Sequence, residues 1–373
     1  MMKILRHCFS FITSLLLFAP CFAEEPAIRQ DYITGALSAF PFDRHTFSPV
    51  AQPLALTKKT ELTNDQTTIV NLASKAFDED QFALGIILVE RGQILFEQFK
   101  KNTDHNTKFF SYSMAKSLTA MTVGQALCTG LLRSLDDRAG LYAKTIDQTV
   151  FGQATLRQLL TMSSGARAPD EDGGSLFGEW SDITKGRISI DDLLKKYGSE
   201  KATPNIFVYN NSNTNALMLA VNGTGNFAEL FDRLVWKPSG PEQSSTWLTD
   251  RQDQLYVAAG FGAVIRDWTR LAMRSIALLN AADGPCMADF MQQATTRQTS
   301  DTLKQRFWDY GYQTWVTTKH GTPTYSWQGA YGQHTLISPK NERILIIFRY
   351  KGQEQTYRAI GGVFAQWARI SAP

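Results

Sequence analysis

From Asp65 onward the apolar positions recur at helical spacing. Ile69, Leu72, Ala73, Ala76 and Phe77 share one face, behind a cap at Thr63 or Asn64. Two β-rich runs follow, Leu84 to Val89 and Ile94 to Phe99, separated by Glu90-Arg91-Gly92-Gln93, which reads as a hairpin. The first run is apolar at every position and predicts a strand buried on both faces. Helical patterning then dominates, with helices expected near 114–128, 155–162, 189–197, 213–222 and 266–280, and Ala166 to Ser181 reads as a long exposed loop rich in Gly and acidic residues. Strand character returns over Tyr310–Thr317, Tyr325–Gly329, Gln333–Ile337 and Arg343–Tyr350, and Ile360–Ile370 reads as a closing helix. A sheet begun early and completed late, with a helical insertion between, is the resulting expectation.

The segment before the first helix is different. Pro26, Pro41, Pro49 and Pro53 break any periodicity over 24–62, which predicts an extended arm. Ahead of it Lys3 and Arg6 precede an apolar run from Phe9 to Ala19, and Cys21-Phe22-Ala23 ends in a small residue before Glu24-Glu25. That is the pattern of a signal peptide over 1–23, too short for the roughly 20-residue bilayer span, so an exported protein, periplasmic or secreted, is expected. No later segment is long and apolar enough to span. The expected organisation is a sheet domain over 63–125 and 260–373 with a helical subdomain over 126–259.

Composition narrows the class. The chain has 373 residues, is 43% hydrophobic and carries 38 basic against 35 acidic side chains. This excludes a disordered chain, and with Lys3 and Arg6 removed the balance is near neutral, so no nucleic-acid partner is indicated. Cys8 and Cys21 leave with the leader, and Cys128 and Cys286 remain. In an oxidising compartment they could pair, while Cys128 in an apolar helical stretch also fits an inert buried thiol, so the pairing is open at this level. There is no C-x-x-C and no histidine cluster, hence no metal site and no cofactor is expected.

The chemistry centres on Phe109-Phe110-Ser111-Tyr112-Ser113-Met114-Ala115-Lys116. A serine three residues before a lysine on the first turn of a helix places both side chains on one face. Serine is too weak an acid to attack a carbonyl unaided, so it needs an adjacent base, a role for lysine if burial lowers its pKa. The amide of Ser113 at a helix N-terminus favours developing negative charge and suits an oxyanion hole. Alone, S-x-x-K is expected about once by chance in a chain of this length. Its company is more specific: Tyr209-Asn210-Asn211, the sole Y-x-N in the chain, and Trp327-Gln328-Gly329-Ala330 entering a strand.

In order and spacing these residues resemble the serine β-lactamase and penicillin-recognising family, in its class C and 6-aminohexanoate-dimer hydrolase branch. Further landmarks are Leu131 to Asp137, Leu156 to Gly165, Gly311-Tyr312-Gln313-Thr314-Trp315 and Gly332-Gln333-His334. The resemblance runs from about Phe82 to the C-terminus. It implies an α+β fold, an antiparallel sheet flanked by helices plus a mostly helical subdomain, with the active site at their junction. It also implies Ser113 as acylated nucleophile, Lys116 as its proton partner, Tyr209 as second acid/base, Asn211 as partner of Lys116 or substrate, and the amides of Ser113 and Ala330 as oxyanion donors. Gln328, Gly329 and Trp327 of the third motif would border the substrate. Class C members carry Lys-Thr-Gly there; an indole cannot pair with a carboxylate, which moves the expected substrate toward uncharged esters or linear amides. A β-lactamase or D,D-peptidase, or a non-catalytic peptidoglycan-binding module, are the competing readings.

Other candidates are weaker. Tyr112, Tyr310 and Tyr312 could line the pocket or belong to the core. His334 could touch substrate or face solvent, and Glu171 and Asp172 sit in the acidic loop. His45, His105 and His320 fall in polar stretches and need no role. No G-x-S-x-G is present for a Ser-His-Asp triad, and Gly223-Thr224-Gly225 reads as a helix stop, not a nucleotide fingerprint.

Overall fold

Residues Ala83–Glu90 (β3) are buried along their whole length, and a strand in that condition requires a layer on each face. A computed structural model describes residues 44–167, 183, 186–199, 203–299, 308–351 and 354–370, and supplies both layers. The leader, most of the arm, most of the acidic loop with Glu171 and Asp172, and the last three residues lie outside them. Around β3 runs an eight-stranded sheet in the order β2 (Thr57–Lys58), β4 (Gln93–Phe99), β3, β12 (Arg343–Arg349), β11 (Gln333–Ser338), β10 (Thr324–Gly329), β9 (Trp315–Thr317), β8 (Asp309–Tyr310). All neighbours are antiparallel except β2 with β4.

Alternation divides the sheet's side chains between two cores. Ile86, Leu88, Leu336, Leu345 and Ile347 meet the helices α1 (Asn64–Glu79) and α9 (Glu354–Arg369) through Ile69, Ala73, Phe77, Ile360, Phe364 and Trp367. Thr63 caps α1 in a reciprocal box with Gln66. Ile87, Val89, Ile337, Ile344, Ile346 and Phe348 face the opposite way, toward α2 (Ala115–Cys128) and α7 (Ile265–Leu279). Every residue of α2 from Ala115 to Ala126 is buried, so its first turn is held from all sides. Beyond it pack α3 (Leu156–Leu160), α4 (Ile190–Tyr197), α5 (Asn211–Asn222), α6 (Phe227–Phe231) and α8 (Pro285–Ala294).

The α+β architecture matches the expected class, with three differences. A second, four-stranded sheet is present in the order β1 (Arg44–Phe47), β6 (Ser245–Leu248), β7 (Phe261–Val264), β5 (Lys108–Phe110). It joins the arm to the stretch read as helical insertion, because β1 pairs with β6. The arm, read as extended, thereby gains partners: its described residues supply β1 and β2. Finally, Tyr310–Thr317 is two strands: Gln313 adopts φ 49°, and the Gly311 amide bonds Thr314 O at 2.8 Å, turning the chain between β8 and β9. Gly223 ends α5, as read.

Cys128 and Cys286 form a disulfide joining the end of α2 to the start of α8. Among the described residues, no helix is long and apolar enough to cross a membrane.

Two histidines depart from expectation. His45 lies in β1, and His320 is buried against Trp308 and Phe364 with Nδ1 3.0 Å from Thr324 Oγ1. Burial, then the nearby Arg369 charge, push His320 down to about 4 from 6.5. Between those values the unfolded chain binds a proton that the folded protein refuses, so stability is whole above pH 6.5 and falls as pH drops toward 4. This single group is expected to contribute a slope of up to about 1.4 kcal/mol per pH unit. Melting curves of His320→Gln between pH 4 and 6.5 should lose part of the wild-type slope; an unchanged slope would exclude His320 as its source.

Candidate active site

The backbone leaving β5 is locked before it reaches Ser113. Ser111 donates its amide to Phe261 O at 2.7 Å and its Oγ accepts from Phe261 N at 3.1 Å, tying this residue to β7. Tyr112 then takes a left-handed φ of 44°, a conformation that costs a bulky residue about 1–3 kcal/mol and persists only where packing enforces it. The enforcing contacts are rings: Phe110 edge-on at 5.1 Å and Tyr331 tilted at 5.1 Å. A 3-10 turn over Tyr112–Met114 feeds directly into α2, leaving Ser113 partly exposed at the head of a buried helix.

Lys116, one turn on, is 1% exposed. Its Nζ lies 2.9 Å from Ser113 Oγ, 2.7 Å from Asn211 Oδ1 and 2.7 Å from the carbonyl of Ala258. Amide oxygens only accept. Two of the three contacts thus take N–H groups and the third direction points at the hydroxyl. An amine with a lone pair there can receive the Ser113 proton, and an ammonium can donate back, without any movement of the lysine.

Tyr209 and Asn211 reach the same spot from α5. Asn210 caps that helix by accepting from Ser212 N at 2.8 Å and is itself anchored to Arg167 O at 3.2 Å. This fixes Tyr209 just before the helix and Asn211 as its first residue. The Tyr209 phenol is close enough to the Ser113 side chain to be influenced by it, and Lys116 Nζ lies 5.1 Å from the Tyr209 ring centroid. Burial pushes the phenol up to about 12, with Ser113 pulling the other way, so Tyr209 is a neutral phenol at physiological pH. Its ring stacks on Trp315 at 5.7 Å, beside Tyr310 and Phe207.

The third strand closes the site. A Cβ on Gly329 would stand 2.4 Å from Ser111 O and 3.1 Å from Tyr112 Cβ, so only glycine lets the end of β10 press against the backbone preceding Ser113. Ala330 follows, exposed, and Tyr331 (φ 63°) turns back with its ring on Tyr112. The structure thus brings Ser113, Lys116, Tyr209, Asn211, Gly329 and Tyr112 together, where the main sheet meets the helices.

Four candidates do not join them. Trp327 is 2% exposed and packs in the inner core against Trp268 at 6.4 Å, so its indole is structural and gives the third motif no cation. His334 pairs in register with Ile347 and Gln328 and is 3% exposed on the face carrying Leu336 and Leu345. It faces neither solvent nor Ser113, because strand alternation puts it under the outer helices. Burial and Arg349 hold it well below the usual histidine range. Gln328 shares that face, one side chain removed from the nucleophile's side. Tyr312 is likewise internal, its hydroxyl bonding Arg157 and Gln293.

Sequence reasoning missed the floor of the site. Asn215 Oδ1 accepts from Ala258 N at 3.3 Å and Thr119 Oγ1 donates to Val257 O at 3.2 Å, fixing the carbonyl that holds Lys116. A backbone oxygen carries no signature in the residue letters. A polar cavity of about 500 Å³, lined by residues including Phe47, Met218, Asn226 and Asp232, lies elsewhere and contains none of the reactive groups.

A model of the family described as Beta-lactamase matches residues 74–360. No curated protein matches the chain. Among solved structures it is similar to a protein from Bacillus anthracis described as a 6-aminohexanoate-dimer hydrolase by assignment, at 19% identity and TM-score 0.77 over 92% of this chain and 94% of that one. It is also similar to a penicillin binding protein from Bacillus halodurans, at 19% identity and TM-score 0.62 over 80% and 99%. A D-stereospecific amidohydrolase from Streptomyces sp. matches at 15% identity and TM-score 0.60 over 80% and 97%. At such identities the likeness speaks for the fold.

Proposed function

This chain belongs to the beta-lactamase family of serine hydrolases, and we propose that it cleaves an uncharged ester or linear amide through an acyl-serine on Ser113. The observation that carries this reading is the buried Lys116 amine, 2.9 Å from Ser113 Oγ and otherwise held by two amide oxygens.

The reaction has two steps. Ser113 Oγ attacks the carbonyl while its proton passes to Lys116, and the Ser113 and Ala330 amides hold the oxyanion. The neutral Tyr209 phenol protonates the departing alkoxide or amine and is restored by the lysine-held proton. Water then enters, loses its proton to the same relay and releases the acid, regenerating Ser113. A peptidoglycan-binding module would have no use for a nucleophile and amine so paired. Export to an oxidising compartment is part of the same reading, and the Cys128–Cys286 disulfide supports it.

Substrate preference follows from Trp327. Class C enzymes place a cation in the third motif, and here that position is an indole turned into the core. A charge-assisted hydrogen bond is worth about 1.5–3 kcal/mol, roughly 10–100-fold. Side-by-side assay of a short nitrophenyl ester, a linear aminohexanoate amide, nitrocefin and a D-Ala-D-Ala peptide is expected to favour the ester and the linear amide by about that factor in kcat/KM. Faster turnover of nitrocefin or the peptide would establish the β-lactamase or peptidase reading instead, and binding without turnover the module.

A further inference from the structure

The turn that carries the second oxyanion donor is pinned at its far end by a buried ion pair. Arg349, the last residue of β12, donates Nη1 to the carbonyl of Gly332 at 3.1 Å, while its Nε bonds Asp80 Oδ2. Their side chains are 1% and 2% exposed. Asp80 is itself fixed where α1 hands over to β3: its amide donates to Phe77 O and its Oδ1 accepts from Phe82 N at 3.0 Å. Gln333 reinforces the joint, its Oε1 accepting from Arg349 N at 3.1 Å and its Nε2 donating to Arg349 O. This occurs where the β12–β3 register shifts, between Phe348 and Arg349.

Seen from Ser113, the segment is held at three points: Gly329 against Ser111 O, the Tyr331 ring against Tyr112, and the Gly332 carbonyl on Arg349. Tyr331 has a positive φ of 63°, which a bulky residue keeps only where its surroundings over-determine it, and Gly332 (φ 88°) turns the chain beside it without such cost. A buried pair of this kind gains little stability over apolar residues of similar size. What it provides here is a fixed carbonyl two residues beyond the Ala330 amide. We propose that Arg349, braced by Asp80, is a positioning residue that holds the Ala330–Gly332 turn in register for oxyanion binding; this rests on the acyl-serine reading above.

The test compares wild type with Arg349→Met, and with Arg349→Met/Asp80→Asn, which leaves no unpaired buried charge. Removing an oxyanion donor costs about 10²–10³ in kcat and displacing one costs less. The expected result is therefore a kcat loss of roughly 10–100-fold on a nitrophenyl ester with KM within about twofold. Sulfur accepts hydrogen bonds poorly, so turnover of the matching thionoester should fall much less, compressing the ester-to-thionoester ratio. A purely structural role would lower both equally. Should the methionine variants fail to fold, the ratio is read in Arg349→Lys, which keeps the charge but not the two-pronged reach and should show a smaller compression. An unchanged ratio in a folded variant overturns the positioning role. Failure of wild-type Ser113 to react with a serine-directed phosphonate overturns the acyl-serine reading instead.

Discussion

Replacing Ser113 with alanine is expected to lower ester turnover by at least about 10⁴-fold and leave the melting temperature within a few degrees of wild type. The reasoning is structural as well as chemical. Ser113 is partly exposed, and its backbone conformation is set by Ser111, Tyr112 and the buried α2, none of which needs the hydroxyl. Alanine removes the nucleophile and preserves the amides. Residual activity should reflect the oxyanion donors and bound water alone. A variant retaining a tenth of wild-type kcat would require another nucleophile.

Lys116→Ala should cost a comparable factor for a different reason. In the proposed reaction the lysine is the proton partner, and it is also the centre of a buried knot: without it Asn211 Oδ1 and Ala258 O lose their donor. Leaving a buried acceptor unsatisfied costs about 1–3 kcal/mol, so the variant should be measurably less stable as well as inactive. The two effects separate in a cycle. Because Ser113 and Lys116 act as one unit, the double variant should be hardly slower than either single one, while its stability loss should match that of Lys116→Ala. Multiplicative losses in kcat would show that the residues act independently.

Much of this arrangement is legible in the residue order, and the parts that are not share a cause. The hairpin Leu84–Phe99 declares itself through two β-rich runs around a Gly-containing turn, and α1 through the helical period that one buried face, Ile69, Ala73 and Phe77, imposes. The strands β5, β6 and β7 are three or four residues long, too short for alternation to register, so the second sheet is invisible until β1 is seen to pair with β6. Ser113, Lys116 and Tyr209 stand out in the residue order because the chemistry proposed for them needs specific side chains at fixed spacing. The Ala258 carbonyl is not, since any residue supplies one. Trp327 and His334 sit at motif positions where only three-dimensional packing decides which way a strand side chain turns, and both turn into a core. His320 shows the same limit: a polar neighbourhood in sequence became an apolar one under α9.

The most direct measurement is rapid acid quench of the enzyme during turnover of a slow nitrophenyl ester, followed by peptide mass spectrometry. A covalent acyl group on the peptide bearing Ser113, formed with a burst of nitrophenol and absent from Ser113→Ala, is the expected result. Steady release of product with no adduct at Ser113, or an adduct on another residue, would contradict the account.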